Sequence, residues 1–164
     1  MARVEVLRIA IAIFFIAAAT IAGAFAFQAS GYIPCELCLK ERIPYYAGMG
    51  LALIAILLAI RGPRALLPAC FGILFLVFAA GTALGVYHSG IEWGFWPGPA
   101  DCTGSMSKAS SMQEFLHQLN TIKVVRCDAA AIRILGLSLA GWNAVISVVL
   151  AGLAAFGIAR SRNL

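Results

Sequence analysis

Ile9 to Phe27 reads IAIAIFFIAAATIAGAFAF and carries no charged residue. A helix that crosses the hydrocarbon of a bilayer needs about 20 predominantly apolar residues, and this stretch has that length. Three more stretches follow it. Ile43–Ile60 lies between Arg42 and Arg61, while Ala65–Tyr87 and Ile134–Ala159 are free of charge. Ile43–Ile60 is the shortest and borrows helix from the CELCLKER segment before it. The pattern predicts an all-α membrane protein, a four-transmembrane-helix bundle with approximate spans 9–28, 41–60, 65–87 and 139–159. One integral membrane domain covers residues 1–164, with outer loops at 29–40 and 88–138.

Composition agrees. Of 164 residues, 62% are hydrophobic and 12% are charged, against about 25% charged in an average soluble domain. Mean hydropathy is +0.94. The net charge of +5 does not indicate nucleic acid, because the positive residues stand in twos between apolar runs and form no basic stripe. They read as topology signals. Arg3 and Arg8 precede the first run, Arg61 and Arg64 fill the short second loop, and Arg160 and Arg162 follow the last run. These three places share a side in a four-span chain, so both termini are expected in the cytoplasm. The basic residues of the other side are diluted over longer loops and mixed with Glu92, Asp101, Glu114 and Asp128. A cleaved signal peptide is the rival reading of the first run, with Ala24-Phe25-Ala26 as its cleavage site. The apolar stretch exceeds the 7–15 residues of such a peptide's core, and the segment after it emerges outside in either case.

The long loop 88–138 has room for structure of its own. Ser111-x-x-Glu114 is a capping box. After it, Met112, Phe115, Leu116, Leu119 and Ile122 recur at helical spacing, with Gln113, Glu114, His117 and Gln118 on the other face. A short amphipathic helix is expected, lying either in the membrane interface or over a small core of the loop itself. Trp93, Trp96 and Trp142, with Tyr32, Tyr45, Tyr46 and Tyr87, fall at the outer boundaries as an aromatic belt. The run Gly94–Pro99 is a turn that ends the third helix.

Five cysteines are present. Cys70 lies inside the third span and reads as a small apolar residue. Cys35, Cys38, Cys102 and Cys127 lie in the outer segments, an oxidising location in a bacterium, where disulfides persist. Cys35 and Cys38 form a C-x-x-C at the mouth of the second span. Haem attachment requires C-x-x-C-H, and position 39 is Leu. A structural zinc site normally wants four ligands; Cys102 and Cys127 could complete one, but oxidation would defeat it, and no metal is expected. A structural staple is a weak reading, because closing so short a loop gives about 2 kcal/mol, against about 3.5 kcal/mol for a loop from Cys102 to Cys127. The pair therefore reads as one kept for reactivity. If the second helix starts near Cys35, its sulfurs sit at the positive end of the helix dipole, which favours thiolate. Arg42 lies four residues after Cys38 on the same helical face. Alone it would read as a snorkelling anchor; beside Cys38 it reads as a group that favours thiolate and donates to an oxygen-bearing ligand. His88 ends the third span at the same level and is a second candidate ligand contact. His117, on the loop helix, is assigned no chemistry. The four outer cysteines allow three pairings.

The sequence resembles the disulfide bond formation protein B (DsbB) family. The resemblance covers nearly the whole chain: four spans with both ends inside, PCELCLKER at Pro34–Arg42, the Tyr87-His88 pair, EWGFWPGP at Glu92–Pro99, and a cysteine at each end of the long loop. A DsbA–DsbB–quinone chain keeps the bacterial periplasm oxidising. The resemblance implies a protein-disulfide:quinone oxidoreductase of the bacterial inner membrane that serves disulfide formation in secreted proteins. It implies that a reduced DsbA-like, thioredoxin-fold partner attacks Cys102. Cys127, released, then bonds transiently to Cys35, and Cys38 is left as a thiolate beside ubiquinone or menaquinone. Arg42 would hold the quinone, with His88 nearby. Thiol–disulfide exchange moves sulfur bonds by thiolate attack and cannot alone reduce a quinone, so one pair belongs at the membrane and the other on a loop. The acidic Glu36 inside the C-x-x-C and the extra Cys70 depart from the pattern. A vitamin-K-epoxide-reductase-like enzyme is a competing reading, but there the loop cysteines precede the C-x-x-C. A non-enzymatic four-span scaffold with a disulfide-stapled loop is another, and it leaves Cys35, Cys38 and Arg42 together unexplained.

Overall fold

Four long helices form the molecule, and each buries a narrow stripe. The computed structural model describes residues 2–99, 111–113, 116, 123–124 and 126–162. The helices are α1 (Ala2–Ala29), α2 (Glu36–Arg61), α3 (Leu67–Glu92) and α4 (Leu139–Ser161). All four are long and apolar enough to cross a membrane. On α3 the buried residues include Leu67, Phe71, Leu74, Phe78, Gly81, Gly85 and His88, at spacings of three and four that keep them on one face. Large apolar residues such as Phe15, Leu57, Leu76 and Val148 lie exposed outside the stripes, as expected of surfaces that face lipid. The protein is a multi-pass membrane protein of the four-helix bundle class.

The helices overrun the charge-free stretches that announced them. α2 starts at Glu36, within the CELCLKER segment from which it was expected to borrow, and α3 continues to Glu92, beyond 87. Near the start of α2 the charged Glu41 is satisfied within the bundle by His88, so that helix has no cause to wait for the first apolar residue. α1 contributes Val6, Ile9, Ala10, Ile13, Ala17 and Ile21 to the shared core, and Arg3 donates to the last carbonyls of α2, those of Ala59 and Ile60. The first apolar run thus packs as a full member of the bundle.

Small residues set the helix spacing, as is usual where no hydrophobic force drives helices together in lipid. An added Cβ at Gly85 would lie 2.8 Å from the backbone nitrogen of Ala144, so α3 and α4 nearly touch there. Pro44, inside α2, packs its ring against Gly81.

Two short strand pairs dress the cysteine end. β1 (Tyr32–Ile33) runs parallel to β2 (Lys123–Val124), with Tyr32 opposite Lys123 and Ile33 opposite Val124. β3 (Arg133–Ile134) and β4 (Leu137–Ser138) form a hairpin. Its turn residues, Leu135 and Gly136, have φ of 54° and 84°, the positive values that a tight two-residue hairpin demands. The hairpin delivers Ser138 as the cap of α4, where its hydroxyl accepts from the Gly141 N–H. Most of the expected loop helix, including Glu114, Phe115, His117, Leu119 and Ile122, lies outside the described residues, as do Asp101 and Cys102.

Gly85→Leu is expected to force α3 off α4 and to destabilise the bundle by about 1–3 kcal/mol or more, the usual range for overpacking. Gly50→Ala, whose new Cβ would meet nothing within 4 Å, is expected to be neutral or to stabilise by about 0.5–1 kcal/mol. Thermal unfolding of the two variants in one detergent measures the contrast.

Candidate functional site

The inward stripes of α2, α3 and α4 turn polar at one end of the bundle, the end that carries the cysteines. There they present Glu41, His88 and Asn143, all buried. Cys35 is the N-cap of α2, and its sulfur accepts a hydrogen bond from the Cys38 N–H at 3.2 Å. It occupies the place where a serine or aspartate oxygen usually caps a helix, in the field of the helix N-terminus. Cys35 and Cys38 are joined as a disulfide, with their Cα atoms 5.1 Å apart.

His88 stands between the pair and a carboxylate. Its Nε2 lies 3.8 Å from Cys35 Sγ, and its Nδ1 lies 3.0 Å from Glu41 Oε1. Glu41 accepts from the Nδ1–H, which leaves Nε2 as the ring nitrogen turned to sulfur. Glu41 thereby fixes which face of the imidazole the sulfur meets. In the reduced state Cys35, Cys38 and His88 are also a group of possible metal ligands, with donor atoms within 4.8 Å of one another. Joined as a disulfide, two of the three have no thiolate to offer.

Cys127 comes to the same place from the other segment. It is fully buried and packs with Cys35, Leu37 and Ile91 in a small apolar cluster. The register of the parallel strands accounts for this. Ile33 pairs with Val124, and both chains leave that rung in the same direction. Cys35 comes two residues later on one chain and Cys127 three residues later on the other. Cys127 is itself disulfide-bonded. Beside it, Arg126 donates two hydrogen bonds to Asp128, at 2.9 and 2.7 Å. These bonds hold the Asp128 carboxyl below its usual range and raise the Arg126 guanidinium above its own.

A cavity of about 310 Å³ opens between α1, α2, α3 and α4 at this level. Cys38, Arg42 and His88 line it, with Tyr45, Glu92 and Asn143. Its walls are otherwise mostly apolar, among them Ala19, Ile21, Phe27, Leu139 and Ile146. Arg42 does not turn back onto Cys38. Its Nη1 donates to Gln28 Oε1 at 3.0 Å, and the guanidinium lies 5.1 Å from the centre of the Phe25 ring. Deeper in, Tyr45 donates to Asn143 Oδ1 at 2.6 Å and shares a hydrogen bond of 3.1 Å with Ser147. Among the described residues, two buried atoms on the cavity wall have no hydrogen-bond partner, Glu92 Oε2 and Asn143 Nδ2.

The structure thus brings together Cys35, Cys38, Cys127, Arg42 and His88 at one end of the bundle. Cys102 falls outside the described residues, and Cys70 lies in the core, with its thiol 3.5 Å from the Leu51 carbonyl. Three residues of the site escape the sequence reading. Tyr45, read as belt, is 2% exposed and bonded inside the bundle. Glu41 was passed over as one more charge in CELCLKER, and Asn143 as one polar residue within a span. The signal that finds them is the inward stripe, since Leu37, Glu41, Tyr45 and Gly48 share one face of α2.

Fold and site define a class: a multi-pass membrane protein with a disulfide-forming cysteine pair at the edge of an apolar cavity. The chain belongs to the family of the disulfide bond formation protein DsbB, whose family model matches residues 7–157. It is similar to the disulfide bond formation protein B of Marinobacter nauticus, with 32% identity over 90% of this chain and 89% of that one. It is also similar to an uncharacterized protein, RP370, of Rickettsia prowazekii, with 26% identity over 73% of this chain and 67% of the relative. No solved structure matches significantly.

Glu41→Leu removes the acceptor from the buried His88 Nδ1–H and is expected to cost about 1–3 kcal/mol. Glu41→Gln keeps an acceptor and is expected to lose less than half of that. Thermal denaturation of both variants with the disulfides intact measures the difference, and equal losses would remove the hydrogen bond as the cause.

Proposed function

We propose that the chain oxidises a DsbA-like, thioredoxin-fold dithiol protein and passes the electrons to a membrane quinone, ubiquinone or menaquinone, as a protein-disulfide:quinone oxidoreductase. The observation that carries this reading is the unequal setting of the two sulfurs. Cys38 lines the cavity, while Cys35 is buried against Cys127.

The steps follow from that asymmetry. The resting pairs are Cys35–Cys38 and Cys102–Cys127. A thiolate of the partner attacks Cys102, which breaks the loop disulfide and frees Cys127 as a thiolate. Cys127 attacks the adjacent Cys35 Sγ; a Cys35–Cys127 bond forms, the Cys35–Cys38 bond breaks, and the electron pair of the broken bond stays on Cys38. The amides at the start of α2 favour that thiolate. Bound in the cavity, a quinone supplies an acceptor for two electrons and two protons. The second partner thiolate attacks the partner sulfur bonded to Cys102, closing the partner's own disulfide and freeing Cys102. Cys102 attacks Cys127, remaking the loop pair and freeing Cys35. Cys35 and Cys38, now a dithiol, re-form their bond as two electrons and two protons pass to the acceptor. Over one cycle the partner dithiol becomes a disulfide, and its electron pair and two protons leave through the cavity. His88 Nε2, held by Glu41, stands where it can take and return a proton at Cys35.

The residues present fit such a ligand. The cavity has the volume of a small-ligand site and apolar walls for a flat ring. Its two donors, Arg42 and the unpartnered Asn143 amide, suit carbonyl oxygens. The proposed location is the bacterial inner membrane with the cysteines in the periplasm and both termini in the cytoplasm. Arg3, Arg8, Arg61, Arg64, Arg160 and Arg162 all fall at the end of the bundle opposite the cysteines, in keeping with the positive-inside rule.

In detergent-purified protein given a reduced thioredoxin-fold oxidase and a soluble ubiquinone analogue, quinone absorbance is expected to fall catalytically. Cys38→Ser is expected to abolish this, and Arg42→Ala mainly to raise the apparent KM for quinone. A folded protein with titratable thiols that turns over neither ubiquinone nor menaquinone analogues would return the chain to the scaffold reading.

A further inference from the structure

Asn143 is a costly residue to place in a membrane-spanning helix. The usual compensation is a hydrogen bond to a neighbouring helix, and here that accounts for only half of the side chain. The separation of 2.6 Å between Tyr45 Oη and Asn143 Oδ1 is a length typical of O–H···O and short for N–H···O. The amide oxygen therefore faces Tyr45. Ser147 supports the tyrosine hydroxyl from the other side at 3.1 Å, which pins the amide in that orientation. Its Nδ2 is left without a partner in a side chain 8% exposed, on the wall of the cavity. A clamp between α2 and α4 needs only the oxygen; a serine hydroxyl or an acceptor alone would make it. Among the described residues nothing takes the donor end.

We propose that the Asn143 amide is a second polar anchor for the quinone, donating to the ring carbonyl opposite the one held at Arg42. This rests on the quinone reading above and names the residue that reads the far side of the ring. Arg42 lies on α2 and Asn143 on α4, and both line the cavity. Two donors on different helices suit a ring whose two acceptor oxygens lie on opposite edges. A ligand with one oxygen would engage only one of them. Because the amide is fixed before the ligand arrives, it also favours the negative charge that gathers on that oxygen as electrons enter.

The test uses the full chain in lipid nanodiscs and two probes. One is a short-tailed benzoquinone with both carbonyls; the other is the matching cyclohexadienone, which keeps one. Affinity for the quinone is read by quenching of tryptophan fluorescence, since Trp142 lines the cavity, and affinity for the dienone by displacement of the quinone. Asn143→Leu is expected to weaken quinone binding about 3- to 10-fold, the worth of one hydrogen bond, and to leave dienone binding unchanged. Tyr45→Phe, which keeps the amide but unpins it, is expected to weaken quinone binding by less and to spare the dienone as well. It also decides the matter should the leucine variant fail to fold. Equal binding of quinone by wild type and variants would overturn the assignment, as would equal weakening of both probes, which reports general damage to the cavity. A wild-type chain that binds no quinone saturably would sink the quinone reading itself, and this assignment with it.

Discussion

The hydrogen bond between His88 and Glu41 ties α3 to α2 at the level where the bundle also holds a disulfide and a cavity. Below that level the stripes are almost wholly apolar, and helices in lipid need no further persuasion than close contact. At that level a buried polar group is costly unless it finds a partner. Glu41 and His88 find each other, and His88 spends its second nitrogen on Cys35. Tyr45, Asn143 and Ser147 form a second polar link, from α2 to α4. The arrangement of the cysteine end follows from these two links: they fix the rotation of three helices about their axes, and so decide which side chains face the cavity.

Close packing elsewhere makes this possible. Gly81 and Gly85 let α3 approach Pro44 and Ala144 within ordinary contact distance. A bundle held apart by larger residues would leave the polar links too long to form. The stability of the core and the geometry of the site are thus one problem, solved by small residues in the middle and hydrogen-bonding residues at one end.

Much of this was legible in the sequence. Length and charge-free runs define four spans, because lipid imposes one length on every crossing. The C-x-x-C at a helix start announces its own capping geometry, and Arg42 and His88 could be placed at one depth by counting from the span ends. What was not legible depended on rotation. A span read as a charge-free run has no inside and outside, so Asn143 counted only as a tolerated polar residue and Tyr45 as an interface aromatic. Glu41 stood beside Arg42 in the sequence, yet it belongs to the buried face. The meeting of Cys35 with Cys127 depended on two-residue strands, too short to leave a pattern of alternation.

For the proposed relay of bonds, those strands carry a consequence for timing. A ladder of two rungs is weak, yet it turns the meeting of two distant cysteines into an event within one molecule. The effective concentration of one sulfur at the other is then set by the tether, and even flexible tethers of this length scale reach millimolar values. Parallel pairing adds direction to proximity, since both chains leave the last rung toward the same point. Such a tether is strong enough to make the encounter frequent and weak enough to let the segment leave. A longer ladder would hold the two sulfurs together permanently and turn a relay into a staple.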